Sequence, residues 1–248
     1  AASAGMSPLA SLYQSQSGLA GIASLRSLDN ALSDSAALRD LSTELAELRD
    51  HLLFSPSVNL LTVSDSQSLD QAAQALIGAF APLANSDRTS TWTPGEKQAS
   101  TNQVWVANTQ VNFCAKAYPT VSSGHPDAPA LTVLGAYLRN GFLHRAIREQ
   151  GGAYGGGASH DANVGAFRFF SYRDPRNIGT LADFDASVEW LLSSKADSHA
   201  LEEAILSVVS SLDKPASPAG EVKKAFYDAL YKRTLEQKRA LREAIINT

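Results

Sequence analysis

The chain has a single cysteine, no long apolar run and no visible signal peptide, and each of these absences excludes a class of protein. Cys114 has no disulfide partner within the chain and cannot by itself build a thiolate metal cage. It stands between Phe113 and Ala115 in a strand-like run, which favours a buried structural thiol over a nucleophile. No apolar run approaches the roughly 20 residues that a membrane-spanning helix needs. No signal peptide is visible at the start, because a basic segment followed by an apolar one is missing.

Positive charge is not in excess either. The 21 lysines and arginines are outnumbered by 25 acidic residues, and no lysine-rich run occurs, so the charge signature of nucleic-acid or membrane-surface binding is missing. A hydrophobic content of 44% is that of an ordinary globular protein, and 248 residues suffice for one large domain or two small ones. We therefore expect a soluble protein of the cytoplasm or an organelle matrix, without nucleic-acid or membrane partners.

Metal-binding and nucleophile motifs are also missing. The five histidines form no H-E-x-x-H or H-x-x-E-H pair, and the closest approach, residues 199–203, ends in glutamate. We therefore expect that this chain binds no zinc of its own. Ser159, His160 and Asp161 are consecutive, so their side chains would diverge on a strand, and a polar loop cluster is favoured over a catalytic triad.

What the chain does have is a glycine-dense segment directly after an arginine-bearing helix. Five of the seven residues 151–157 are glycine, so the helix is predicted to stop near Gly151. A phosphate-binding loop is disfavoured, because its glycines follow a strand and open a helix, whereas these follow a helix and lead into a strand. Arg148 and Tyr154 stand on either side of this turn, and both can donate hydrogen bonds to a carbonyl oxygen or a carboxylate. Residue patterns leave two interpretations open: a ligand-holding pair, or an arginine that offsets the helix dipole beside a core tyrosine.

Hydrophobic periodicity predicts an α+β domain that follows a helical segment. Residues 1–56 predict two or three helices, with Asp34 or Ser35 suited to cap the last of them. Strands are predicted at 58–63, 104–118 and 165–172, all in one sheet, and a polar loop at 86–100. Further helices are predicted at 69–83, 127–150, 183–192, 199–212, 218–231 and 235–246. Strands separated by helices indicate one sheet with helices on one face, so we expect a helical extension over 1–56 and an α+β domain over 57–248.

Three collinear segments, residues 110–113, 142–158 and 167–175, resemble the C-terminal domain of presequence proteases. These enzymes belong to the pitrilysin/insulinase superfamily of zinc peptidases, and close similarity covers about residues 102–176. The resemblance implies a two-layer pitrilysin-type domain, in which helices cover a mixed sheet, with the residues before Pro56 packed ahead of it as a helical segment.

The resemblance also implies a function for the glycine segment. The parent enzyme would be a clamshell that degrades unstructured peptides in a closed chamber, with zinc held by an H-x-x-E-H motif of another domain. Arg148 and Tyr154 match in spacing an arginine and a tyrosine that hold the peptide and its oxyanion beside that zinc. Gly151, Gly152 and Gly155 would let the peptide backbone approach closely.

Two roles for the chain remain under this resemblance. Either it works with the N-terminal catalytic half of the same polypeptide and is inactive alone, or it is a non-catalytic interaction module. The second role includes a subunit of a two-subunit peptidase-like complex. An H-x-x-E-H domain upstream in the same reading frame would decide for the first.

Overall fold

The computed structural model describes residues 1–53, 58–83, 93, 95–97, 99, 102–193, 195 and 197–248, which form helices and one three-stranded sheet. The helices are α1 (Pro8–Ser17), α2 (Leu19–Ala31), α3 (Ser35–Leu52), α4 (Leu69–Phe80), α5 (Ala128–Leu138), a π-helix (Arg139–Gln150), α6 (Ile178–Ser193), α7 (Ser198–Leu212), α8 (Pro218–Leu230) and α9 (Leu235–Ile246). The strands are β1 (Asn112–Pro119), β2 (Gly155–Asp161) and β3 (Ala166–Asp174). The predicted α+β class is confirmed.

The helix predictions hold to within three residues, except that α6 begins five residues before the predicted start at 183, and the N-terminal segment contains three helices. Asp34 caps the N-terminus of α3, as predicted, because its carboxylate accepts hydrogen bonds from the N–H groups of Ala36 (3.2 Å) and Ala37 (3.4 Å). Asp127 precedes α5, but its side chain makes no capping bond. Pro129 lies in the first turn of α5, where a missing N–H costs nothing.

The sheet has the order β1-β3-β2, and both pairings are antiparallel. The described residues therefore contain an antiparallel sheet where a mixed one was expected. The strand predicted at 58–63 is wrong, because these residues pair with no strand in the part of the chain that the structure describes, and a lone extended segment is not stable. The first part of the strand predicted at 104–118 is also wrong. Thr109 turns the chain there by donating its N–H to Ala107 O (2.8 Å), so β1 begins only at Asn112.

Helices cover one face of the sheet, which confirms the predicted two layers. The core between the layers contains Leu138 of α5, Leu143 and Ile147 of the π-helix that follows it, and Phe184 of α6. Phe169 of β3 lies among them, with its ring 5.6 Å from that of Phe184. These five side chains are at most 2% exposed, so the helix that leads to the glycine segment is fixed to the sheet along much of its length.

The chain divides into two compact units. One comprises residues 1–21, 94–214 and 235–248 and contains the sheet; the other comprises residues 22–93 and 215–234. In the second unit, α3, α4 and α8 have no fully buried residue. The domain boundary predicted at 56/57 falls on residues outside the described ones, as does most of the predicted loop 86–100, so the division into 1–56 and 57–248 stays a prediction. None of the helices in the described part of the chain is both long and apolar enough to cross a membrane.

Candidate functional site

The glycine turn ends a helix that widens along its course. α5 leads directly into the π-helix, whose hydrogen bonds reach one residue further than those of an α-helix. The π-helix ends at Gln150, as predicted, and Gly152 then adopts the left-handed φ of 79°. The N–H of Gly152 donates to Arg148 O (3.0 Å) and the N–H of Ala153 donates to Ile147 O (3.1 Å). This is a Schellman-type stop in which each bond reaches one residue further than usual, as the wider last turn requires.

The glycines have two different roles, which corrects the expectation of one glycine turn. Residues 151–152 form the turn, whereas residues 155–157 belong to β2 and pair with β3. Glycine is rare in strands, so this strand was not predicted. It needs glycine for packing: a Cβ at Gly156 would lie 2.8 Å from Phe170 O and 3.0 Å from Ile147 Cγ2. Close approach of helix and strand, not chain reversal, therefore explains the glycine run in β2.

Arg176 holds the turn from its buried side. Its Nη2 donates to Ala146 O (3.2 Å), in the last turn of the π-helix, and to Asp183 Oδ2 (2.8 Å) of α6. Carbonyls at a helix end lack partners within the helix, so the guanidinium supplies one. Gly151 is buried below it, and a Cβ at that position would overlap the Arg176 guanidinium. Gly151 thus has a packing role, and its predicted contact with a peptide stays a prediction.

Asp174 anchors Arg176, and it was missed by reasoning from the sequence. The Asp174 side chain is fully buried at the end of β3. Its Oδ1 accepts the Arg176 N–H (2.9 Å), and its Oδ2 accepts the Thr180 hydroxyl (2.8 Å). These bonds join the strand to the start of α6 and compensate for burial of the carboxylate. The signal in the sequence was an Asp-Pro pair just past the predicted strand 165–172, which is typical of a tight turn.

Arg148 lies in the last turn of the π-helix and is exposed. Within the described residues, its guanidinium has no hydrogen bond or ion pair. A cation at the end of a helix interacts favourably with the helix dipole, so this position also agrees with the interpretation in which Arg148 only offsets that dipole. The guanidinium nevertheless keeps all its donors available for a ligand.

Tyr154 lies at the surface with 63% of its area exposed, so its predicted alternative as a core residue is wrong. Its ring contacts that of Tyr172 (centroids 5.6 Å apart, planes at 55°), and the Arg173 guanidinium lies 5.5 Å from its centroid. Its N–H donates to Arg173 O (3.2 Å). Gly155, the next residue, allows this arrangement, because a Cβ there would lie 2.5 Å from Tyr172 Oη. The ring of Tyr154 is therefore held, while its hydroxyl bonds to no described residue.

The polar residues considered for other chemistry lie apart from this pair or are bound in local contacts. Among the described residues, no group of three or more His, Cys, Asp or Glu side chains could hold a metal ion. His144 pairs with Glu149 (3.3 Å) and His160 Nε2 bonds to Val121 O (3.0 Å). Residues 159–161 lie in β2 instead of the predicted loop, and their side chains alternate between its faces.

Cys114 is 6% exposed in β1, which confirms a buried structural thiol. Its Sγ lies 3.7 Å from Arg176 O and 3.9 Å from Asn177 Oδ1. Burial raises the pKa of the thiol, so the reactive thiolate is disfavoured at neutral pH.

Comparison with known proteins gives three findings. The family described as the PreP C-terminal domain matches residues 102–248. The mitochondrial presequence protease of Kluyveromyces lactis is 34% identical over 217 residues, which is 83% of this chain and 21% of that protein. The mitochondrial presequence protease of Danio rerio is 41% identical over 135 residues, 54% of this chain and 13% of that protein. The chain thus spans about a fifth or less of the length of these curated relatives.

A solved structure agrees in fold. The crystal structure of a protease from Helicobacter pylori superposes with a TM-score of 0.54 at 16% sequence identity. The superposition covers 77% of this chain and 48% of that one.

Proposed function

Since the chain belongs to the PreP C-terminal domain family, we propose that it is the substrate-binding C-terminal domain of a zinc-dependent metalloendopeptidase of the presequence-protease type. The resemblance inferred from three short segments is confirmed by the family match, which extends to residue 248. The relatives are named as mitochondrial proteases, so the parent is proposed to be a peptide hydrolase of an organelle matrix.

The observation that carries the proposal is an exposed cation and an exposed phenol beside a backbone turn that is fixed by hydrogen bonds. Arg148 and Tyr154 flank the turn, and Gly152 and Ala153 donate to carbonyls of the preceding helix. Two donors on a fixed frame suit a peptide carbonyl, and they suit better the oxyanion that this carbonyl becomes during hydrolysis. Because the frame is fixed before the peptide binds, the donors need little rearrangement in the transition state. Arg148 and Tyr154 therefore support the peptide and its oxyanion, and Gly152 and Gly155 leave room for the peptide backbone.

Under this proposal, another domain of the full-length enzyme binds the catalytic zinc. The described residues do not fit a zinc site, because none of their His, Cys, Asp and Glu side chains form a group of three. The N-terminal catalytic half of the same polypeptide is the partner that would supply the metal, and this chain alone would be inactive. The purified chain should therefore bind zinc no better than a surface with a few histidines, which isothermal titration checks. Stoichiometric, submicromolar binding by the chain would contradict this assignment.

The pair itself is tested in the full-length parent with Arg148→Ala and Tyr154→Phe. Each should lower peptide turnover, since loss of one oxyanion-directed donor costs on the order of 10²–10³ in rate. Two matched controls should leave turnover unchanged: Arg145→Ala, an exposed arginine of the same helix, and Tyr231→Phe, a tyrosine that is 64% exposed. Turnover is measured per folded molecule with a fluorogenic unstructured peptide. Wild-type turnover in both site variants would remove the functional assignment of the pair.

A further inference from the structure

Arg173 has a backbone conformation that L residues rarely adopt. Among the described residues other than glycine, only Arg173 (φ 49°) and Lys232 (φ 54°) have positive φ. A side chain in this left-handed region is strained, and such strain persists where the surrounding structure imposes it. At Arg173 the strain lies in a strand directly beside Tyr154.

A β-bulge accompanies the strain. Asn112 of β1 pairs with Asp174, whereas Cys114 pairs with Ser171, so β3 advances three residues while β1 advances two. The extra residue falls at residues 172–173. Bulges bend a strand and redirect a side chain, and they are common next to active sites.

The bulge brings two consecutive side chains to the same ring. In a regular strand, neighbours such as Tyr172 and Arg173 point to opposite faces. Here both contact Tyr154: the Tyr172 ring centroid lies 5.6 Å and the Arg173 guanidinium 5.5 Å from the Tyr154 centroid. Arg173 O also accepts the Tyr154 N–H (3.2 Å), so one strained residue holds both the backbone and the ring of Tyr154.

The strained conformation is held by the residue that follows it. Asp174 is fully buried and accepts bonds from the Arg176 N–H and the Thr180 hydroxyl. Its backbone carbonyl accepts a bond from Asn112 Nδ2 (3.2 Å). With Asp174 fixed in this way, the bend at Arg173 is imposed by the fold and does not depend on a ligand.

We propose that Arg173 is a positioning residue for Tyr154: the bulge and the left-handed backbone place its guanidinium on the Tyr154 ring and thereby fix the direction of the phenol hydroxyl. The inference rests on the proposed function, since Arg173 acts on the peptide only through Tyr154. A misplaced catalytic group can cost up to about 10²-fold in rate, so loss of one of two ring contacts should lower kcat by about 10-fold.

The test separates positioning from structural support, because glycine accepts the backbone of residue 173 better than arginine does. In the zinc-loaded, full-length parent, Arg173→Gly should melt at the same temperature as the wild type or higher, yet show a kcat about 10-fold lower. Arg173→Lys keeps a cation and should recover most of the turnover. Lys232→Gly relieves the same kind of strain elsewhere in the chain and should leave kcat unchanged. Arg173→Asn, which tolerates a left-handed backbone without a cation, should repeat the result of Arg173→Gly.

A double-mutant cycle with Tyr154→Phe completes the test. Phenylalanine keeps the ring but has no hydroxyl to direct, so Arg173→Gly should cause no further loss of kcat in that background. An equal loss in both backgrounds, or wild-type kcat in Arg173→Gly and Arg173→Asn, would overturn the inference. So would a lower melting temperature with unchanged kcat. Wild-type kcat in Tyr154→Phe would instead overturn the proposed function of Tyr154, and the inference with it.

Discussion

On the inner side of the glycine turn, polar side chains hydrogen-bond to neighbouring groups of the fold, whereas on its outer side they are exposed with donors left open. The inner side consists of the residues that pack the turn onto the sheet, Gly151, Asp174, Arg176 and Thr180. The outer side consists of the exposed residues that flank the turn, Arg148, Tyr154 and Arg173.

The difference teaches that one short segment serves stability and function with separate residues. On the inner side, removal of Asp174 or Thr180 leaves a buried partner unsatisfied, which costs free energy of unfolding. On the outer side a removed group faces water, so the fold loses little, although a ligand would lose a donor. If this separation is correct, inner substitutions should lower stability and outer substitutions should lower turnover alone.

The largest loss of stability is expected for Asp174→Ala. It removes the buried acceptor of the Arg176 N–H and the Thr180 hydroxyl and leaves a small void, so unfolding should become easier by about 3 kcal/mol. Urea denaturation of the chain measures this. The matched control is Asp213→Ala, whose carboxylate bonds to Arg242 (2.8 Å) at the surface and should contribute at most about 1 kcal/mol. Equal losses for both variants would mean that the inner side is not a stability centre.

An intermediate loss is expected for Gly152→Ala. A Cβ there would lie 3.4 Å from Pro175 Cγ, which is ordinary contact, so the cost comes from φ 79° alone and should be about 1–2 kcal/mol. Gly78→Ala in α4 is the control, because a Cβ meets nothing within 4 Å and helix propensity should raise stability by up to about 1 kcal/mol. The two glycine-to-alanine changes should therefore shift the urea midpoint in opposite directions. A stabilising effect at residue 152 would show that this residue does not have the left-handed φ of the helix stop in solution.

The sequence predicted the helical parts of this site well, because periodicity and caps are local signals. α9 begins and ends at the predicted residues, and the helix before the turn stops where its glycines begin. β2 was missed, since its glycines contradict strand propensity and are explained only by the nearby helix. The strand predicted at 58–63 has suitable residues but pairs with none of the described strands, and a local pattern cannot reveal a partner.

From the sequence, the residue types of the candidate site and their spacing along the chain could be predicted, but not their contacts. Arg148 and Tyr154 could be named from the sequence, but whether Tyr154 is exposed depends on how β2 meets β3. The hydrogen bond from Arg176 to Ala146 O joins residues 30 positions apart, and no sequence motif indicates it. The bulge at Arg173 likewise depends on the register against β1, which turn chemistry did not indicate.

The smallest change in stability is expected for Tyr154→Phe in the isolated chain. The substitution keeps the ring contacts with Tyr172 and Arg173 and removes an exposed hydroxyl, so unfolding should change by less than about 0.5 kcal/mol. The sharpest comparison is Tyr137→Phe, since that side chain is 9% exposed and its hydroxyl accepts the Asp197 N–H (3.4 Å). Loss of this bond should cost about 1 kcal/mol. If Tyr154→Phe cost as much as Tyr137→Phe, the Tyr154 hydroxyl would be part of the fold, and a loss of turnover in that variant could no longer be attributed to the peptide.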